Sequence, residues 1–307
     1  MALLDAYRGQ VALLIRALPL VAEEPAFALK GGTAINLFMR DLPRLSVDID
    51  LTYLPVEDRA TSLASIDAAM LRIKERIEQR LRGVRVTPSR LQGDNIVTKL
   101  IVRQDGVQIK IEVTPMLRGT VYEPSLMSVS PAVEEAFGFA EINVVSFADL
   151  YAGKIAAALD RQHPRDLFDV RDLLANEGIS DKLRQAFLIY VVSHPRPMAE
   201  ILAPSRKNIE DEYRRGFEGM TEIPASLDDL TAAREAIIRI MVAEMPDDHR
   251  RFLIGFKQGA PDWTLLGIPE AQNLPAVRWK QQNLDGLDPE RRAKLSSALE
   301  QVLFPAP

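Results

Sequence analysis

An α+β fold, in which a mixed sheet is flanked by helices and followed by an all-helical C-terminal domain, is predicted by three features of this chain. Val47, Ile49 and Leu51 alternate with Asp48 and Asp50, a period of two that fits a strand buried on one side. Two β-rich runs, residues 95–103 and 107–113, flank Gln104-Asp105-Gly106, and an Asp-Gly turn between alternating segments signals a hairpin. From about Val145 onward almost every periodic segment has helical spacing. The predicted boundary divides the chain into residues 1–145 and 146–307.

Each element follows from local chemistry. Residues 2–19 are apolar-rich and helical in spacing, with Pro19 expected to end the helix. Phe27-Ala28-Leu29 is a short buried strand, and Thr33 to Arg40 places Ala34, Leu37 and Phe38 on one helical face. Gly31-Gly32 falls between them at a strand-to-helix turn. Residues 57–82 hold strong helix formers, notably from Met70 to Leu81, and a strand around Val84 to Val86 leads towards the hairpin. Met116 to Pro131 carries two prolines, Pro124 and Pro131, and reads as a long loop at the edge of a site. Helices are expected at 147–160, 166–176, 180–193, 226–245, 247–258 and 288–303, interrupted at 195–204 and 259–275. No internal repeat supports a solenoid.

Composition narrows the function classes. With 307 residues and 47% hydrophobic content the chain can bury a large core, so disorder is not expected. No run approaches the roughly 18 apolar residues that span a bilayer, and no signal segment is visible, so a cytoplasmic protein without a membrane partner is expected. The absence of cysteine excludes disulfides, thiolate metal sites and a cysteine nucleophile. His163, His194 and His249 show no zinc-ligand spacing. A net charge of −5 does not advertise nucleic-acid binding, although phosphate contacts depend on local basic surface. Candidates for such surface are Arg161 with Arg165, Ser205-Arg206-Lys207, Arg214-Arg215, Arg250-Arg251, and Arg291-Arg292 with Lys294. Taken singly, each reads as a solvated helix face.

The chemistry concentrates in Lys30-Gly31-Gly32-Thr33-Ala34 and Arg44-Leu45-Ser46-Val47-Asp48-Ile49-Asp50-Leu51. Alternation puts Asp48 and Asp50 on one strand face, where two close carboxylates repel unless a cation lies between them. A hard, oxygen-seeking ion such as Mg²⁺ or Mn²⁺ suits that pair and keeps waters or phosphate oxygens as its other ligands. The glycine turn allows close backbone approach and aims the N–H groups of a helix start at an anion, for which a triphosphate is the obvious candidate. In the hairpin's second strand Lys110 and Glu112 share a face. Glu112 reads either as half of a cross-strand ion pair or as a third carboxylate at the metal. Lys154 interrupts the apolar stripe of Phe147, Leu150, Tyr151 and Ala158, and reads either as a snorkelling side chain or as a phosphate contact. Asp166 and Asp169 face the same way on the next helix. They could orient Lys154 or Arg165, one could act as a base, or Asp166 could simply favour the helix N-terminus.

These blocks together resemble the AbiEii/AbiGii-type toxin nucleotidyltransferases of the DNA polymerase β-like superfamily. The matching residues are Gly31-Gly32-Thr33-Ala34; Arg44, Ser46, Asp48 and Asp50; Lys110 and Glu112; and Lys154 with Arg165-Asp166-Leu167-Phe168-Asp169. Order and spacing agree over roughly residues 27–170, while the remaining C-terminal part matches only as a helical region. The resemblance implies a polymerase β-like sheet and transfer of a nucleoside monophosphate from a nucleoside triphosphate to tRNA. The protein would then be the toxin of a type IV-like toxin–antitoxin pair, with a cognate antitoxin. It assigns catalysis to Asp48, Asp50, Lys154, Asp166 and Asp169. Nucleotide binding falls to Gly31, Gly32, Thr33, Arg44 and Ser46, and metal binding to Asp48 and Asp50, with Glu112 left open between a further ligand and an ion-pair partner. The helical C-terminal domain is expected to complete the site and bind the acceptor. Two alternatives share the pocket: transfer to a protein or small molecule, and a nucleotide-binding module without turnover.

Overall fold

The computed structural model describes residues 2–305, with side chains from Tyr7 onward. It divides into two compact units, one of Met1–Ser146 with Thr221–Ile223 and one of Phe147–Met220 with Pro224–Pro307. A mixed sheet and an α+β architecture are what the first unit shows. Its strands are β1 (Phe27–Lys30), β2 (Asp48–Tyr53), β3 (Arg85–Arg90), β4 (Val97–Gln104), β5 (Val107–Arg118), β6 (Ser125–Ser128) and β7 (Glu141–Val144). They form one sheet in the order β3-β4-β5-β2-β1-β7-β6. β2 runs parallel to β5 and β1 parallel to β7, while the remaining neighbours are antiparallel.

Register decides which side chains meet. Ile49 and Leu51 of β2, Ile109, Ile111 and Val113 of β5, and Leu100 and Val102 of β4 are all buried. The sheet is covered by helices α1 (Ala2–Ala22) and α3 (Arg59–Arg80). Burying each such aliphatic side chain contributes about 1.5–3 kcal/mol, which fixes the register because a one-residue slip would turn the whole set outward. Asp48, Asp50, Lys110 and Glu112 are thereby held on the opposite face. The hairpin turn is as expected, with Asp105 and Gly106 at φ +48° and +79°, the left-handed pair of a type I′ turn.

Three local expectations change. Helix α1 runs through Pro19 to Ala22. Val11, Leu14, Ile15, Leu18 and Val21 are buried along it, and Arg76 Nη1 donates to the Leu20 carbonyl at 2.9 Å, so tertiary contacts outweigh one lost helical hydrogen bond. The helix expected at Thr33 begins at Gly31 as α2 (Gly31–Ala34) and widens into a π-helical turn over Ile35–Met39. The long loop of residues 116–131 is in part strand: β5 continues to Arg118, and β6 pairs with β7. Those pairings depend on partners distant in sequence, which local pattern cannot show.

The second unit is helical throughout. α4 (Pro131–Phe137) belongs to the sheet unit, and α5 (Phe147–Asp160), α6 (Pro164–Asn176) and α7 (Asp181–Ser193) open the helical one, α5 packing on both α6 and α7. Further helices span Leu227–Ile238, Asp247–Gln258 and Pro289–Leu303, close to expectation. A helix at Pro275–Asp285 and short ones at Met198–Leu202 and Glu210–Gly216 were not expected.

Candidate active site

The glycine turn and the acidic strand meet within the sheet unit. Lys30 pairs with Asp50 across the antiparallel β1–β2 register, so the chain leaving β1 turns at Gly31 directly beside that carboxylate. Gly31 has φ +77°, and a Cβ placed on it would lie 2.5 Å from Asp50 Oδ2. A Cβ on Gly32 would lie 2.7 Å from an Arg44 guanidinium nitrogen and 2.8 Å from Ser46 Oγ. Gly31 is required by its backbone conformation and by the approach of Asp50, whereas a side chain at Gly32 would have to displace the Arg44 guanidinium and the Ser46 hydroxyl. Helix α2 starts at this point, so its first N–H groups have no partner within the helix.

A small hydrogen-bond frame holds the turn. Thr33, fully buried, donates from Oγ1 to the Asp48 carbonyl at 2.5 Å. Having one hydroxyl proton, it then accepts from Ser46 Oγ at 3.1 Å. Asn36, also fully buried, donates from Nδ2 to the Gly32 carbonyl at 2.7 Å and accepts from the Arg44 backbone N–H at 3.3 Å. Arg44 is 3% exposed. It is anchored further by a β-bridge to Thr221, and Glu222 N–H donates to the Pro43 carbonyl at 3.1 Å. Arg44 and Ser46 precede β2, which starts at Asp48, and they face Gly32.

A charged row crosses the sheet at Asp50. Asp48 is in register with Lys110, Asp50 with Glu112, and Glu112 with Lys99. Glu112 pairs with Lys99 at 3.2 Å, with both side chains more than a third exposed, so this pair contributes little to stability. Lys30 Nζ donates to Thr114 Oγ1 on β5 at 3.2 Å. Burial pushes the Lys30 ammonium down from the usual lysine range, while Asp50 and Glu112 pull it back up. Among the described residues, no three His, Asp or Glu side chains cluster closely enough to cage an ion. The residues nonetheless fit a small dication: two carboxylates on alternate positions of one strand, beside a glycine cradle that a Cβ would fill. Such an ion takes its remaining ligands from water and phosphate.

The helical unit carries its own buried cluster. Lys154 of α5, 8% exposed, bonds Asp166 Oδ1 at 2.8 Å and Asp169 Oδ2 at 3.0 Å, both on α6. Arg161 closes on the other side of Asp166, its Nε 2.5 Å from Oδ2. Burial by itself would raise the Asp166 carboxyl; Lys154 and Arg161 overcome it and hold the group well below the carboxylate range. Asp166 is thus a fixed anion and poorly matched to accepting a proton near neutrality. His163 caps α6, accepting on Nδ1 from the Arg165 N–H at 3.2 Å.

Comparison with known proteins gives the family and the fold. The family profile described as "Nucleotidyl transferase AbiEii toxin, Type IV TA system" matches residues 12–283. The chain belongs to this family of toxin nucleotidyltransferases. Among solved structures it is similar to MenT4, a nucleotidyltransferase toxin from Mycobacterium tuberculosis H37Rv. The TM-score is 0.59 at 17% identity, over 97% of this chain and 92% of that one, a likeness of fold. No curated protein matches the sequence.

The toxin is an enzyme that uses a nucleoside triphosphate, in a family whose members have antitoxin partners. Sequence reasoning assigned no role to Lys30 or Asn36. The signal for Asn36 was a polar residue inside the apolar pattern of Ala34, Leu37 and Phe38, and for Lys30 a lysine ending a buried strand. Several basic candidates for an RNA surface are tied to partners within the chain, Arg161, Arg206 and Arg214 while remaining exposed. Arg161 binds Asp166, Arg206 binds Glu235 at 2.8 Å, Arg214 binds Glu210 at 2.5 Å, and Arg250 and Arg292 donate to backbone carbonyls. Arg251, Arg291 and Lys294 are exposed.

Proposed function

We propose that the toxin transfers a nucleoside monophosphate from a nucleoside triphosphate to tRNA in the cytoplasm, with Mg²⁺ or Mn²⁺ held by Asp48 and Asp50. One observation carries this reading: Asp50 Oδ2 lies against Gly31, so the acidic strand and the anion-accepting turn form one cradle. The tRNA acceptor rests on the family resemblance. So does the part of the helical unit, in which Lys154 contacts the triphosphate and Asp166 and Asp169 hold its ammonium in place.

In the proposed reaction the α2 N–H groups and Arg44 bind phosphate oxygens, while Thr33, Ser46 and Asn36 keep the turn and the strand at fixed separation. The divalent ion, when bound, supplies charge stabilisation to the attacking and leaving oxygens. A bond forms between the acceptor hydroxyl oxygen and the α-phosphorus as the bond to the bridging oxygen breaks. Pyrophosphate leaves with that electron pair, and the hydroxyl proton passes to water. Positioning and electrostatics carry most of the rate enhancement in such transfers.

Incubation with labelled nucleoside triphosphates, Mg²⁺ and total tRNA tests this. Label should appear on RNA with the unsubstituted toxin and fall to background with Asp48→Ala. Label on protein or a small molecule would replace tRNA as acceptor, and triphosphate binding without pyrophosphate release would replace catalysis with a binding role.

A further inference from the structure

We infer that Lys30 is the fixed cation of this site, a positioning residue whose ammonium serves the Asp50–Glu112 carboxylate pair and leaves Asp48 and Asp50 to hold a single exchangeable divalent ion. The inference rests on the metal-binding reading above and deepens it.

The register supplies the geometry. Lys30, Asp50 and Glu112 lie side by side on β1, β2 and β5, and Thr114 is two residues beyond Glu112 on the same face. Adjacent strands are about 4.8 Å apart, so a lysine on β1 that bonds Thr114 on β5 must extend over β2. Its ammonium then passes Asp50 on the way to the Glu112 side of the row. Lys99 and Lys110 differ from it: Lys99 spans only from β4 to its neighbour Glu112, and Lys110 stands in register with Asp48. The hydrogen bond to Thr114 ties Lys30 to β5, so its charge is part of the scaffold. A third carboxylate beside a metal pair invites a second dication, as in two-metal sites. Here a built-in ammonium crosses the same face to Thr114, attracted by Asp50 and Glu112, while Lys99 pairs directly with Glu112.

The consequence concerns cation affinity, which separates charge from scaffolding. A residue that only braced the sheet would weaken ion binding when removed; a fixed cation repels the incoming ion, so its removal strengthens binding. Mn²⁺ titration of the toxin by calorimetry, with no nucleotide present, reads this directly. Lys30→Met and Lys30→Gln are both expected to bind Mn²⁺ about tenfold more tightly, the scale expected for one unit charge removed at a partly solvated site. Lys30→Arg should stay within about twofold of the unsubstituted toxin. Adding Glu112→Gln to Lys30→Met removes the matching negative charge and should restore the original affinity within about threefold. Lys30→Met keeps the length of the lysine stem, and melting temperatures of both neutral variants within a few degrees of the unsubstituted toxin separate loss of charge from loss of fold. Weaker or unchanged Mn²⁺ binding in both neutral variants overturns the inference while leaving the metal site standing. Undiminished binding in Asp48→Ala, or no binding by the unsubstituted toxin, overturns the metal-site reading and this inference with it.

Discussion

At the scale of single residues, the cradle depends on two hydrogen atoms where any other residue has a side chain. Gly31→Ala would place a methyl 2.5 Å from Asp50 Oδ2 at a φ of +77° that alanine resists. The backbone cost is about 1–2 kcal/mol, but the displaced carboxylate matters more. Misplacing a reacting group by an ångström costs about 100-fold in rate. The expectation is therefore a fall of about 100-fold in label transfer with only a small loss of stability, read from the rate and the melting temperature of the same preparation. Asp48, Asp50 and the glycine pair were legible in the sequence because alternation and turn chemistry are local. The frame of Thr33, Ser46 and Asn36 was not, since its bonds join residues that only the turn brings together.

At the scale of elements, hydrophobic register does the positioning. The β4–β5 hairpin sets β5, and β5 sets Glu112 and Thr114 beside β2. Its Asp105-Gly106 turn lies at the far end of that hairpin, with nothing close to a Cβ on Gly106. Gly106→Ala is expected to cost about 1–2 kcal/mol, from positive φ alone, and to leave transfer unchanged. Urea unfolding paired with the transfer assay checks both parts. The strands of this hairpin, the acidic strand and most long helices were readable from periodicity. The extension of α1 beyond Pro19, the π-helical turn at Ile35–Met39 and the β6–β7 pair were not, because each is decided by packing or pairing with a distant partner.

For the whole molecule, buried ion clusters link stability to pH. Burial raises both Glu24 and Asp166, but Arg72 and Arg76 hold Glu24 below its usual value, as Lys154 and Arg161 hold Asp166. A carboxyl that is lower in the folded state takes up a proton first in the unfolded chain. The stability it contributes is complete above the ordinary carboxylate pKa of about 4 and is lost as pH falls below that value towards the folded one. Urea midpoints should therefore decline gently between pH 7 and 5, where burial holds the His163, His194 and His249 imidazoles below their usual range, and drop steeply from pH 4 to 3 as the two carboxylates protonate in the unfolded chain. Asp166→Asn should lower stability at pH 7 by about 3 kcal/mol, through the lysine and arginine charges left behind, and should flatten the acid slope. An acid slope unchanged by that substitution would remove Asp166 from the account.

By itself the sequence determined the α+β class, the acidic strand, the glycine turn and the lysine that interrupts the α5 stripe. Each is written in residues a few positions apart, where backbone period and turn chemistry dictate the outcome. Only tertiary structure decided that Lys30 crosses β2 to Thr114, that Glu112 stands between Asp50 and Lys99, and that Thr221 pairs with Arg44. Those relations arise from strand order and register, set by burying aliphatic faces on the other side of the sheet. The charged residues are carried to their places by side chains that take no part in the chemistry.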